Sequence, residues 1–175
     1  AAANRQSVKA ADLSKRRIVA FATHGLVPGD FPNLEQPALA LAAPSGSAEE
    51  GLLTLEDILA LKMDADWVVL SACNTAAGEG QGAEAISGLG RGFFYAGSRA
   101  LLVTHWPVET RSARLLVTDL FERYAEQAVS RAEALRQASL AVMRQAAQDA
   151  SGKPLFSYAH PMFWAPYALV GDGGR

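Results

Sequence analysis

Two side chains in this 175-residue chain have the type and setting for nucleophilic chemistry. His24 lies in Thr23-His24-Gly25, directly after the apolar run Ile18 to Ala22. Cys73 lies in Ser71-Ala72-Cys73-Asn74-Thr75, directly after Trp67-Val-Val-Leu70. A thiol is a weak nucleophile until it loses its proton, and a nearby imidazole can take that proton and hold the thiolate as an ion pair. Short apolar runs bounded by charged or turn-forming residues predict strands buried on both faces. In open α/β sheets ligands gather outside the carboxyl ends of strands, so both residues fall on one functional edge if the two strands are close and parallel. A strand-end cysteine taken alone is more often core, and His24 alone could be a satisfied structural histidine.

The elements that must position these residues can be read along the chain. An Ala-rich start without an obvious cap leads into a helix over Val8 to Leu13. Ala38 to Ala42 is a weaker strand between prolines, and Thr54 with Asp57 is a capping-box variant opening a short helix to about Leu61. After a glycine-rich turn at Gly78, Gly80 and Gly82, a helix runs from about Ala83 to Ala96. Its Gly88, Gly90 and Gly92 each cost about 1 kcal/mol relative to Ala, which predicts close packing against a neighbour. Arg99 to Val103 is a third buried strand. Glu109 to about Gln127 and Arg131 to Gln148 are long helices, the second with Ser130 and Glu133 as its capping box. Phe163 to Val170 is a last strand that Pro166 confines to an edge or bulge. Strands alternating with helices predict a largely parallel α/β sheet with helices on both faces, in a single domain over residues 1–175.

Composition narrows the chemistry. Half the residues are apolar and 19% are charged, with a formal charge of −2. That balance argues against a disordered tail and against a nucleic-acid surface. The arginines at 111, 114, 123, 131, 136 and 144 are interleaved with acidic residues and read as a solvated, ion-paired face. One cysteine can form neither an intramolecular disulfide nor a Cys-rich zinc cage. No apolar run reaches the roughly 20 residues of a membrane helix, and the run after Lys9, Arg16 and Arg17 is too short for a signal peptide. The expectation is a cytoplasmic globular domain with no membrane or nucleic-acid partner and no bound metal. Gly78 to Gly92 lacks both the P-loop ending and the dinucleotide fingerprint, which makes a phosphate- or nucleotide-binding domain the weakest reading. His160 and its neighbours to Trp164 read as packing at the domain end, and His105, beside Trp106, as structural in preference to a substrate contact.

Phe21-Ala-Thr-His24-Gly25, Leu70-Ser-Ala-Cys73-Asn-Thr75, Gly78, Gly88-Leu89 with Arg91-Gly-Phe93, Ala96-Gly97, Trp106-Pro-Val108, Ala134-Leu135-Arg136 with Ala138, and His160-Pro161 with Trp164 occur in that order. Together they resemble the CHAT family of caspase-like proteins, over Ile18 to Gly171. The separation of His24 and Cys73, about 50 positions, is also close to that in caspases. The resemblance implies a caspase-like, mostly parallel sheet and a cysteine endopeptidase that needs no metal or organic cofactor. Cys73 would be the nucleophile and His24 the base and later the acid, with the backbone amides of Gly25 and Cys73 as the oxyanion hole. It also implies a protein or peptide substrate and tetratricopeptide repeats or another regulatory domain upstream. Family members carry further strands and a helix before the His strand. This chain would then be the C-terminal, site-bearing part of the domain, lacking its N-terminal strands and leaving a sheet edge open.

In caspase-like enzymes the residue two before the nucleophile helps line the pocket for the substrate residue preceding the scissile bond. It is Gln in aspartate-specific caspases and Asp in arginine- or lysine-specific metacaspases. Here it is Ser71, which predicts no strong charge preference unless Glu109 or Glu79 enters the pocket. Trp106 resembles a pocket-wall aromatic. The main alternative keeps the fold without cleavage, as a silent protein-interaction or regulatory module.

Overall fold

The computed structural model describes residues 3–44, 46–70, 81–126 and 129–174, with backbone alone at 48, 49 and 81–87. Its contacts divide the chain into two units, Ala1–Trp106 and Pro107–Arg175. In the first unit the order is α1 (Arg5–Ala10), β1 (Ile18–Phe21), β2 (Gly25–Leu26), β3 (Ala38–Ala40), β4 (Leu52–Thr54), α2 (Leu55–Leu59), β5 (Trp67–Leu70), α3 (Gln81–Tyr95) and β6 (Ala100–Thr104). The α/β class expected from the alternating pattern is the class that forms.

The apolar runs become a parallel ladder, with β5 between β1 and β6. Trp67 to Leu70 and Ala100 to Thr104 are buried throughout, as continuous apolar strands should be. β1 departs from the expectation of burial on both faces. Only Phe21 is buried, and Ile18 is 43% exposed, because no described strand pairs with the outer edge of β1. The weak strand at Ala38 is real but belongs elsewhere. It is the middle of a separate antiparallel sheet, β2-β3-β4, that follows directly on β1.

α2 begins as its sequence dictates: Thr54 Oγ1 accepts from the Asp57 amide, and Asp57 Oδ2 accepts from the Thr54 amide. The glycines of α3 are there for contact. A Cβ on Gly92 would stand 2.8 Å from Leu55 Cδ1, and one on Gly90 would stand 3.2 Å from Leu101 Cδ1. α3 therefore lies close to both α2 and β6. The first helix starts earlier than expected, since Asn4 and Ser7 form a reciprocal capping box and the helix ends at Ala10 rather than Leu13.

The second unit contains α4 (Thr110–Glu126), α5 (Arg131–Met143), β7 (Ala146–Gln148), β8 (Pro154–Ser157) and β9 (Tyr167–Gly171). Leu116 and Leu120 of α4 and Ala134, Ala138 and Val142 of α5 are buried. Ser130 caps α5 by accepting from the Glu133 amide, while the Glu133 carboxylate turns instead to Arg136 and Gln137. α5 stops five residues short of Gln148. Asp149 accepts from the amides of Ser151 and Lys153, Gly152 takes φ +84°, and the turn folds 146–157 into a β7–β8 hairpin. β9 starts only at Tyr167, after a 3-10 turn at Pro161–Phe163 and past Pro166. Arg131 corrects the picture of a uniformly solvated arginine face. It is fully buried, donates to Asp172 Oδ2 at 3.2 Å and to the Gly174 carbonyl at 3.1 Å, and lies over the Tyr124 ring.

Candidate active site

Register decides which strand ends meet. In the parallel ladder Phe21 stands opposite Leu70, and Leu70 opposite Val103. These three residues form one row across the carboxyl ends of β1, β5 and β6. In the sequence His24, Cys73 and Trp106 each follow that row by three positions. Ser71 and Cys73 lie outside the described residues, as does Glu79; what the structure fixes is the strand end that leads to them. Phe21 is anchored against Phe93 of α3, with ring centroids 5.4 Å apart, so the row is held from behind by the helix that follows the Cys73 segment.

His24 is exposed, on the short link between β1 and β2. Its carbonyl accepts from the Ala40 amide at 2.8 Å, and the Thr23 hydroxyl donates to the Ala40 carbonyl. Both bonds fix the backbone and leave the ring unconstrained; among the described residues no hydrogen bond holds the imidazole. Thr23 thus ties the start of the β1–β2 link to β3, a contact not assigned from the sequence although the residue stands in the Phe21-Ala-Thr-His24-Gly25 motif.

The backbone of Gly25 has a defined direction. Gly25 pairs with Leu39 and Leu26 with Ala38 across the antiparallel β2–β3 ladder. Since the Ala40 amide already bonds the His24 carbonyl, the alternation of hydrogen-bonded and non-bonded pairs makes Gly25–Leu39 a non-bonded pair. The Gly25 N–H therefore points away from β3, with no side chain beside it.

The two pocket candidates that are described differ. Trp106 is 37% exposed, with its ring 6.3 Å from that of His105 and tilted by 38°. Glu109, in the second unit, is committed locally. Its Oε2 accepts from the Ser112 amide at 2.7 Å and its Oε1 from the Arg111 amide at 2.9 Å, capping α4. Burial pushes its carboxyl up, but the amides of Ser112 and Arg111 outweigh that and hold it below the usual range. His160 is structural, its Nδ1 accepting from the Met162 amide to cap the 3-10 turn. Among the described residues no group of three or more His, Cys, Asp or Glu could hold a metal ion. No described helix is long and apolar enough to cross a membrane.

The family model described as "CHAT domain" matches residues 1–172. The chain belongs to the CHAT-domain family. The match runs through both units; of the CHAT motifs read in the sequence, those beginning at Phe21 and Leu70 start on the row of strand ends, whereas Gly88 to Phe93 lie in α3 and Ala134 to Ala138 in α5. Over 123 residues, 70% of its length, this CHAT domain is 30% identical to "Tetratricopeptide repeat protein 28" of Mus musculus. It spans only 4% of that relative's length.

Proposed function

We propose that this CHAT domain is a cysteine endopeptidase in which Cys73 is the nucleophile and His24 the general base. The observation that carries the reading is the row Phe21–Leu70–Val103, from which His24 and Cys73 depart with equal lengths of chain. Adjacent strands are about 4.8 Å apart, and three residues of chain span up to about 10 Å, so the chain lengths allow His24 and Cys73 to meet.

His24 takes the thiol proton, and the thiolate adds to the carbonyl carbon of the scissile peptide. The oxyanion that develops is met by the outward amide of Gly25 together with the amide of Cys73. Collapse breaks the C–N bond as His24 returns its proton to the leaving amine, giving a thioester. Water, deprotonated by His24, then cleaves the thioester and regenerates the thiol. An exposed, loosely held imidazole suits a base that must turn from thiol to leaving group to water. Trp106 walls the pocket, and Ser71 leaves it without a charge. By analogy with its mouse relative, the domain works beside tetratricopeptide repeats that deliver or restrain the protein substrate.

The test is alkylation of Cys73, the chain's only cysteine. Iodoacetamide is expected to react with it at pH 6 at least about tenfold faster than with free cysteine, because a His-paired thiol is ionised below its ordinary range. His24→Ala should abolish the excess. A rate equal to free cysteine in both proteins would leave the silent interaction module as the function of the fold.

A further inference from the structure

α1 is attached in an unusual way. Its six residues include no buried one, and a helix this short has little stability of its own. Its surroundings are poorly filled. A cleft of about 880 Å³ opens beside Asn4, Arg5 and Lys9 towards Pro44 and Glu50. Another, of about 280 Å³, separates Ser7 and Val8 from Val19, Phe21 and Thr23. The segment is pinned at its two ends, where the Ala42 amide bonds the Ala3 carbonyl and Leu13 bridges Met63.

The middle is held by charge. Arg5 Nε and Nη2 donate to Asp57 Oδ2 and Oδ1 at 2.7 and 3.0 Å, and Lys9 Nζ donates to Oδ1 at 2.7 Å. The Asp57 side chain is 3% exposed, whereas Arg5 and Lys9 are 38% and 45% exposed. Solvent ions can therefore reach the basic side of the latch while the acid stays in place.

We propose that residues 3–13 form a releasable strap, latched by Arg5 and Lys9 onto Asp57, whose undocking opens the apolar cleft beside the strand leading to His24. The far wall of that cleft runs from Val19 to Thr23, and the Thr23 hydroxyl bonds the Ala40 carbonyl of β3, whose amide in turn bonds the His24 carbonyl. The strap is thus a device by which salt, or an acidic partner competing for Arg5 and Lys9, loosens the segment carrying His24. It stands whether or not Cys73 is catalytic, since it concerns docking alone.

The test places a reporter thiol on either wall of the cleft, Val8→Cys or Val19→Cys, in the full chain carrying Cys73→Ser, and follows maleimide labelling. Molar sodium chloride is expected to speed labelling at both positions about tenfold by screening the ion pairs. Arg5→Gln with Lys9→Gln, which leaves the Thr54–Asp57 cap intact, should give the fast rate at low salt and remove the salt dependence. Hydrogen exchange of the β5 amides must stay slow throughout. Labelling that ignores both salt and the double variant, or that rises only in step with β5 exchange, overturns the strap.

Discussion

Phe21 and Leu70 face each other at the carboxyl ends of neighbouring parallel strands, and each is followed three residues later by a member of the proposed dyad. Parallel pairing aligns strand ends directly, so a one-residue slip would move His24 about 3.3 Å along the strand and invert the faces of β1. Phe21 is the residue that resists such a slip, through its ring contact with Phe93. Phe21→Ala is accordingly expected to cost about 3 kcal/mol in urea denaturation and to lower the alkylation rate of Cys73, whereas Ile18→Ala, at an exposed position of the same strand, should change neither appreciably.

Asp57 gives a prediction in pH. Burial raises its carboxyl, but the hydrogen bonds from Arg5, Lys9 and Thr54 together hold it far below the ordinary carboxylate range. A depressed folded value means that its stabilisation is fully present above the unfolded pKa of about 4 and is lost as pH falls below it. Asp57→Asn is expected to lose about 2 kcal/mol at pH 7, allowing for the partial exposure of Arg5 and Lys9. The gap between the two proteins should narrow as urea midpoints are followed from pH 5 down to pH 2.

Gly97 cannot be replaced. It takes φ +110°, and a Cβ there would lie 2.0 Å from the Met63 carbonyl oxygen, in the turn between α3 and β6. The displaced atom would be backbone, which has nowhere to go. Gly97→Ala is expected to cost about 3 kcal/mol or more, seen as a lowered urea midpoint or as a failure to fold.

Glu109 caps α4, so Glu109→Ala should cost about 1 kcal/mol, with Glu109→Gln falling in between because an amide oxygen still accepts. Thermal melts at neutral pH measure it. An unchanged melting temperature in Glu109→Ala would show that the cap carries no stability.

Ser71 makes the specificity prediction. The present protein is expected to cleave a peptide library without a strong charge preference at the residue before the scissile bond. Ser71→Asp should favour Arg and Lys there by about tenfold or more, through a carboxylate facing a cation in a partly dehydrated pocket. An absolute requirement for Asp in the unmodified protein would end this account of the pocket.

Much of the molecule was determined locally by its sequence. The apolar runs at Ile18, Trp67 and Ala100 carry their own strand signal, and Thr54-Leu-Glu-Asp57 and Ser130 carry helix starts, because periodicity and capping depend on neighbours within a few positions. The order of the CHAT motifs likewise named the family. Tertiary structure decided matters that no short window contains. It set which residues stand opposite in the ladder, put Ala38–Ala40 in a second, antiparallel sheet and made β1 an edge. It also ended α5 at Met143, where pairing with Pro154–Ser157 outweighed the helix propensity of Ala146 and Ala147. Arg131 shows the same limit, since only the return of Asp172 and Gly174 to the start of α5 lets a guanidinium be buried there. His24 and Cys73 were legible as residue types with suitable neighbours. The alignment of the strand ends beneath them is a non-local relation, set by packing and hydrogen bonding between segments far apart in the chain.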